Sequence, residues 1–281
     1  MVRPLRIKYP GALYHVTSRG NAYQDIFLND KDRRAFLNNL KYCIKLHNLI
    51  CHAYCLMNNH YHLLIETPDG NLSQAMRDIN GNYTQGFNAR HKCVGHVMQG
   101  RYKAFLVEKE PYLLEVVRYI VNNPVEAKMV EHPKNWKWSS FCATAGFVKS
   151  PAWLMTDFTL SLFSKKRNEA QKQYQDFVKE GMERGSPYDD VKEGVILGSP
   201  QFIGWVWENF KELELVTEVK TSNRMIGRPS LEDLFYDITK KKQRDNAMRV
   251  ARVRAGYSVT EIANHLGLHR TTVSRILNSS L

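Results

Sequence analysis

Cysteine is scarce and badly arranged for a framework. There are five, Cys43, Cys51, Cys55, Cys93 and Cys142, with no CxxC pair and none in the last 139 positions. That argues against a disulfide scaffold or a zinc knuckle and leaves reduced, mostly buried thiols. No run of about 18 uncharged apolar residues occurs, so no transmembrane helix is expected. Met1 to Arg6 lacks the apolar stretch of a signal peptide, and the expected location is cytoplasmic, nucleoid-associated. Repeats and low-complexity tracts are absent. Acidic charge is also short: 28 Asp and Glu against 40 Lys and Arg, a net +12. With 43% apolar and 24% charged residues, the 281-residue chain is neither disordered nor a rod, and it suits one large domain or two ordinary ones.

The basic excess is segregated. Residues 1–146 carry 19 basic and 11 acidic side chains, net +8; 147–225 carry 11 and 12, net −1; 226–281 carry 10 and 5, net +5. Solubility alone accounts for a modest excess. Two basic blocks around a neutral one favour a polyanion partner, most simply nucleic acid.

Alternation in Leu13 to Arg19 predicts a strand ending at Gly20-Asn21. Asp30 to His47 reads as a helix capped by Asp30, with Phe36, Leu37, Leu40 and Ile44 on one face. Leu49 to Thr67 reads as two strands joined at Asn58-Asn59, Leu72 to Ala89 as a helix, and Tyr102 to Val107 as a strand. A third helix opens at Glu110-Pro111 and is expected to stop by Pro124. The expected class is α+β: an antiparallel or mixed sheet with helices on one face, followed by an all-α C-terminal region. The expected domains are 1–146, a helical connecting region 147–225 that is mostly irregular over 181–199, and 226–281, with a linker over 221–229.

The sharpest chemical feature is His60-Tyr61-His62. Residues two apart in a strand share a face, so both imidazoles project together while Tyr61, Leu63 and Ile65 turn to a core. Such a pair either satisfies local hydrogen bonds or holds a divalent metal, and the latter needs a third ligand. In the helix after Pro111, Leu113, Val116, Val117, Ile120 and Val121 make the apolar stripe. Tyr119 lies about 130° from its centre, and Asn123 shares its face. Alone, Tyr119 reads as an interface aromatic. Joined to the histidines, it reads as a nucleophile. A cation held by His60, His62 and the side-chain oxygen of Asn123 would polarise a phosphodiester, and Tyr119 would attack phosphorus to leave a covalent phosphotyrosine.

These residues resemble the HUH superfamily of single-strand endonucleases, and within it the REP-associated tyrosine transposases, relatives of the insertion-sequence single-tyrosine transposases. The stretches that carry the resemblance are Gly11 to Asn21, Met57 to Glu66, Gln99 to Lys103, Arg118 to Ile120 with Asn122 to Val125, and Trp138 to Ser140. They cover about residues 5–145. The resemblance implies a ferredoxin-like fold and an Mg²⁺- or Mn²⁺-dependent nuclease that cuts and rejoins single-stranded DNA near hairpins of repetitive extragenic palindromes. It implies His60 and His62 as the metal pair, Asn123 as third ligand and Tyr119 as nucleophile, giving a 5′-phosphotyrosine and a free 3′-hydroxyl. The chain departs from the pattern at Asn58, where proline is usual. Insertion-sequence relatives are dimers; monomer or homodimer stays open here. Arg19, Arg101, Lys103 and Arg118 are candidate phosphate contacts, and Tyr14, Tyr83 and Tyr102 candidate base-stacking rings. His15 reads as a sheet histidine.

Tyr257 to Leu277 fits a helix-turn-helix, with Ser258 as cap, Gly267 at the turn, and Ala263, Leu266, Val273 and Ile276 inside. The second helix would show His269, Arg270, Thr271, Thr272, Ser274 and Arg275 to duplex DNA, with Arg249, Arg252 and Arg254 just upstream. This block is similar to the DNA-binding domain of the bacterial replication initiator; a helical hairpin without a DNA role also fits. The expected function is a DNA nicking and joining transposase. The alternative is a non-catalytic regulator that binds DNA through 226–281.

Overall fold

The computed structural model describes residues 7–182, 185–188, 195–210, 231–236, 238, 241–253, 257 and 259–278. The linker expected over 221–229, the Ser258 cap and Arg254 lie outside the described residues.

Period-two alternation makes β1 (Ala12–Arg19) a strand with two usable faces. It runs antiparallel to β3 (His60–Thr67) on one side and to β4 (Lys103–Val107) on the other. β2 (Ile50–Leu56) joins β3 through a tight hairpin in which Met57 N–H donates to His60 O at 2.9 Å. β5 (Ile196–Leu197) adds a parallel edge to β4, giving the order β2-β3-β1-β4-β5. This short strand falls in a stretch expected to be irregular; two residues are too few for alternation to register in sequence.

The α+β class holds, and the helices cover both faces of the sheet rather than one. On the first face, α1 (Asp30–Leu46) and α2 (Leu72–His91) are tied to each other and to the strands. Asn39 Nδ2 donates to Ile79 O at 2.8 Å, Tyr61 Oη to Asn80 Oδ1 at 2.6 Å, and Phe36 packs on Tyr61 with ring centres 4.7 Å apart. Asn29, not Asp30, caps α1: its backbone is extended and its Oδ1 accepts from Lys31 and Asp32 N–H at 2.9 and 3.2 Å. On the second face, α3 (Lys109–Glu126) buries Leu113, Val116, Val117, Ile120 and Val121 against Leu13, Leu64 and Val107. Each such side chain contributes about 1.5–3 kcal/mol of burial. That is enough to carry α3 past Pro124, where sequence alone predicts a stop: the missing N–H removes one bond of the last turn, and Pro124 is itself buried.

Leu160, Ala170, Tyr174, Val178 and Leu197 belong to the same core as Leu13 and Leu64. The compact unit therefore runs through 8–191 and takes in 195–202, beyond the boundary expected at 146. It includes α4 (Phe141–Thr144), α5 (Thr156–Ser161) and α6 (Arg167–Glu180), while α7 (Pro200–Phe210) begins at its end. No described helix is long and apolar enough to cross a membrane.

The second unit contains α8 (Leu231–Phe235), α9 (Lys241–Val253), α10 (Val259–Leu266) and α11 (Arg270–Asn278). Met248, Ala251, Tyr257, Ile262, Ala263 and Val273 form its core, with Leu266 and Ile276 against it. Gly267, at φ +63°, ends α10: its N–H reaches Asn264 O at 3.3 Å and Leu268 N–H reaches Ala263 O at 2.9 Å.

Candidate active site

The site lies on the α3 face, at one end of the three central strands. Register sets it: His60 pairs with Arg19, His62 with Thr17, Lys103 with Thr17, and Phe105 with His15. Facing alternation puts Leu13, His15, Thr17 and Arg19 on the same side as His60, His62 and Leu64. Leu13 and Leu64 meet α3 in the core. Beyond them the same face becomes polar.

The two strand histidines converge, with ring centres 4.9 Å apart. Each has its Nδ1 occupied. His60 Nδ1 lies 2.7 Å from Asn59 Oδ1, and Asn59 Nδ2 donates to Tyr23 O at 3.2 Å. Asn59 must therefore present its oxygen, His60 carries its proton on Nδ1, and its Nε2 holds a lone pair. His62 Nδ1 lies 2.8 Å from His15 Nε2. His62 Nε2 is buried and has no hydrogen-bond partner among the described residues. All three rings are held neutral. Burial, then the Arg19 charge, lowers the pKa of His60; burial, then His15 and His60, takes His62 well below its ordinary value; burial takes His15 to about 3.

Tyr119 arrives from α3 with its ring centre 5.9 Å from those of His62 and His15. One turn on, Asn123 Nδ2 donates to Tyr119 O at 2.8 Å, which leaves the amide oxygen to accept from elsewhere or to ligate. A cavity of about 150 Å³ beside Tyr119 is lined by Glu115, Arg118, Asn122 and Met182, among others. Tyr188 covers the cluster, its ring 5.1 Å from His15, 4.6 Å from Phe105 and 5.6 Å from Tyr119.

The donor set fits a divalent cation: two neutral imidazoles, one with an orphaned buried Nε2, and a free amide oxygen nearby in sequence to the tyrosine. No group of three His, Cys, Asp or Glu able to hold a metal occurs among the described residues.

The candidate phosphate contacts divide. Arg101 and Lys103 are exposed. Arg19 is half-buried, donates from Nε to Gln99 Oε1, and lies 4.2 Å over the Tyr23 ring. Arg118 is different. It is buried, paired with Glu115, and 4.2 Å over the Phe177 ring. A Cβ at Gly181 would overlap its side chain. Its charge is already matched, so it is a strut of the α3–α6 packing rather than an open contact. Tyr14, Tyr83 and Tyr102 are core rings with no face left for a base. Asn58 is held by hydrogen bonds: its Oδ1 accepts from Arg33 Nη2 at 2.6 Å, and its carbonyl accepts from Ile26 and Phe27 N–H at 3.0 and 3.1 Å. In the second unit, His269, Arg270, Thr271 and Arg275 are exposed, while Thr272 and Ser274 are half-buried.

Sequence reasoning missed Asn59, His15 and Tyr188 as parts of the site. His15 had a signal, its shared strand parity with Thr17 and Arg19; Tyr188 had none.

A family model described as "Transposase IS200 like" matches residues 9–123, from just before β1 into the last turn of α3. The match spans 115 of the 281 residues, and over that stretch the chain is similar to this family. The matched segment contains His60, His62, Tyr119 and Asn123. Among solved structures, one of the REP-associated tyrosine transposase bound to a REP hairpin is similar at 18% identity. It covers 57% of this chain and 94% of its own, with a TM-score of 0.47. A protein described as a transposase from Deinococcus radiodurans R1 is similar at 18% identity, covering 43% of this chain and 95% of its own, with a TM-score of 0.31. No curated protein matches the sequence.

Proposed function

We propose that the first unit is a metal-dependent endonuclease and strand transferase for single-stranded DNA at hairpins of repetitive palindromes, working through a covalent 5′-phosphotyrosine on Tyr119. The observation that carries this reading is the meeting of Tyr119 with His62, 5.9 Å between ring centres, where His62 Nε2 is buried and unpartnered among the described residues. The hairpin preference rests on the sequence resemblance.

His60, His62 and the amide oxygen of Asn123 would hold Mg²⁺ or Mn²⁺. When bound, the cation neutralises phosphate charge and polarises phosphorus. Tyr119 supplies the nucleophile: its hydroxyl gives up a proton, the Oη–P bond forms, and the P–O3′ bond breaks with the 3′ oxygen leaving as a hydroxyl. Reversal with a different 3′-hydroxyl rejoins the strand. Arg19, Arg101 and Lys103 would hold the phosphate backbone at the polar end of the sheet, and the exposed ring of Tyr23 beside Arg19 offers a stacking surface. In the second unit, α11 would enter a major groove of duplex DNA through Arg270, Thr271 and Arg275, as a helix-turn-helix does.

Labelled hairpin DNA incubated with Mn²⁺ tests the reading. A covalent protein–DNA adduct that disappears in Tyr119→Phe is the expected result. Binding without cleavage would instead favour a non-catalytic regulator, and cleavage surviving in Tyr119→Phe would remove Tyr119 from the mechanism.

A further inference from the structure

His15 and His62 are diagonal neighbours, because Thr17 is the residue directly opposite His62. Their rings lie edge to edge, with centres 5.1 Å apart and planes 15° from parallel, and 2.8 Å separates His15 Nε2 from His62 Nδ1. At the outer ends of this pair, His15 Nδ1 and His62 Nε2 have no hydrogen-bond partner among the described residues. Two neutral imidazoles place two protons on four nitrogens. One proton sits in the shared bond. If His15 donates it, the second proton is on His62 Nε2, and that nitrogen cannot ligate. If His62 donates it, the second proton is on His15 Nδ1, and His62 Nε2 offers a lone pair.

We propose that His15 is a positioning residue: by accepting the Nδ1 proton of His62, it holds that ring in the tautomer whose Nε2 can bind the divalent cation. The proposal rests on the metal reading of the site. His15 is suited to the task because it is itself clamped. Phe105 and Tyr188 lie nearly parallel to its ring, at 5.9 Å and 20° and at 5.1 Å and 27°. A metal-bound histidine commonly hands its other N–H to a carboxylate or carbonyl. An imidazole in that place accepts the proton without adding negative charge beside an incoming phosphodiester. The pair also keeps the same number of protons in both tautomers, so cation uptake releases none.

Mn²⁺ affinity is measured calorimetrically on full-length wild type, His15→Phe and His15→Gln. Phenylalanine keeps the ring stacking and loses the acceptor; glutamine restores an acceptor oxygen. The expected result is an affinity about 10–100-fold weaker in His15→Phe, largely recovered in His15→Gln. His15→Phe binding Mn²⁺ as tightly as wild type overturns this proposal alone. Wild type that binds no Mn²⁺ overturns both the metal reading and this one. Should His15→Phe fail to fold, imidazole ¹⁵N spectra of wild type loaded with Mg²⁺ decide: a proton on His62 Nδ1 is expected, and one on His62 Nε2 overturns the proposal.

Discussion

The two faces of the sheet handle buried polar groups differently. On the α1–α2 face, the fully buried carboxylate of Asp32 receives Arg90 Nε at 3.0 Å, His91 Nε2 at 2.9 Å and Leu28 N–H at 3.0 Å. Tyr61 donates to Asn80, whose amide reaches Ser18 Oγ at 3.4 Å. On the α3 face, His15 Nδ1, His62 Nε2, Asn122 Oδ1 and Tyr188 Oη are buried with no partner among the described residues. An unmet buried polar atom costs about 1–3 kcal/mol. The first face spends most of its polar groups on cohesion, leaving Arg33 Nε and Asn71 Oδ1 unmet among the described residues. The second holds several in readiness around one tyrosine, as expected where a ligand completes the bonding.

Substitutions should separate the two faces, beginning with the largest effect. Tyr119→Phe is expected to lower cleavage of hairpin DNA at least about 10³-fold, some 4 kcal/mol, while shifting the melting temperature by no more than about 2 °C. A large loss of stability would mean that the α3 face is structural after all. Asp32→Asn should do the reverse: about 2–3 kcal/mol of stability lost in denaturant titration, with activity per folded molecule unchanged. The figure is below that of a fully enclosed pair because Arg90 is about a third exposed.

The faces also predict two separate pH windows, measured with chelator present. His15 and His62 have folded-state pKa values below the ordinary 6.5, so the unfolded chain takes up protons that the folded one refuses. Stability from that face is full above pH 6.5 and falls below it, by at most about 1.4 kcal/mol per pH unit per ring. For Asp32, burial alone would raise the pKa, but hydrogen bonds from His91, Arg90 and Leu28 N–H outweigh it and lower the value below 3.8. Its contribution is present above that value and is lost as pH falls through the folded-state pKa. His15→Phe should flatten only the upper window and Asp32→Asn only the lower; a single shared transition would contradict the division. The smallest effect concerns charge. Lys103→Gln should weaken single-strand binding a few-fold and reduce the salt slope by about 0.7, whereas Arg118→Gln should leave the slope unchanged because its charge is matched internally.

Much of this was legible along the chain. The strand and helix periods located β1 to β4 and α1 to α3, and the parity of His60 and His62 put them on one face. Gly267 and Ala263 marked the C-terminal helical hairpin. The failures have a common cause. Asp30 reads as a cap because its residue type suits one; that Asn29 takes the role is set by backbone geometry. Proline at 124 reads as a stop until the burial of α3 is known. Arg118 reads as an available charge until Glu115, Phe177 and Gly181 close around it.

Residue order alone determined the local elements, the facing of the paired histidines and the placing of Tyr119 off the apolar stripe, since each depends on neighbours within a few positions. Tertiary structure decided that α1–α2 and α3 take opposite faces, that His15 meets His62 across a strand boundary, and that Tyr188 returns from beyond α6 to cover them. Those contacts join residues 47 to 173 positions apart. Register and packing set their geometry, and neither is encoded in any short window of sequence.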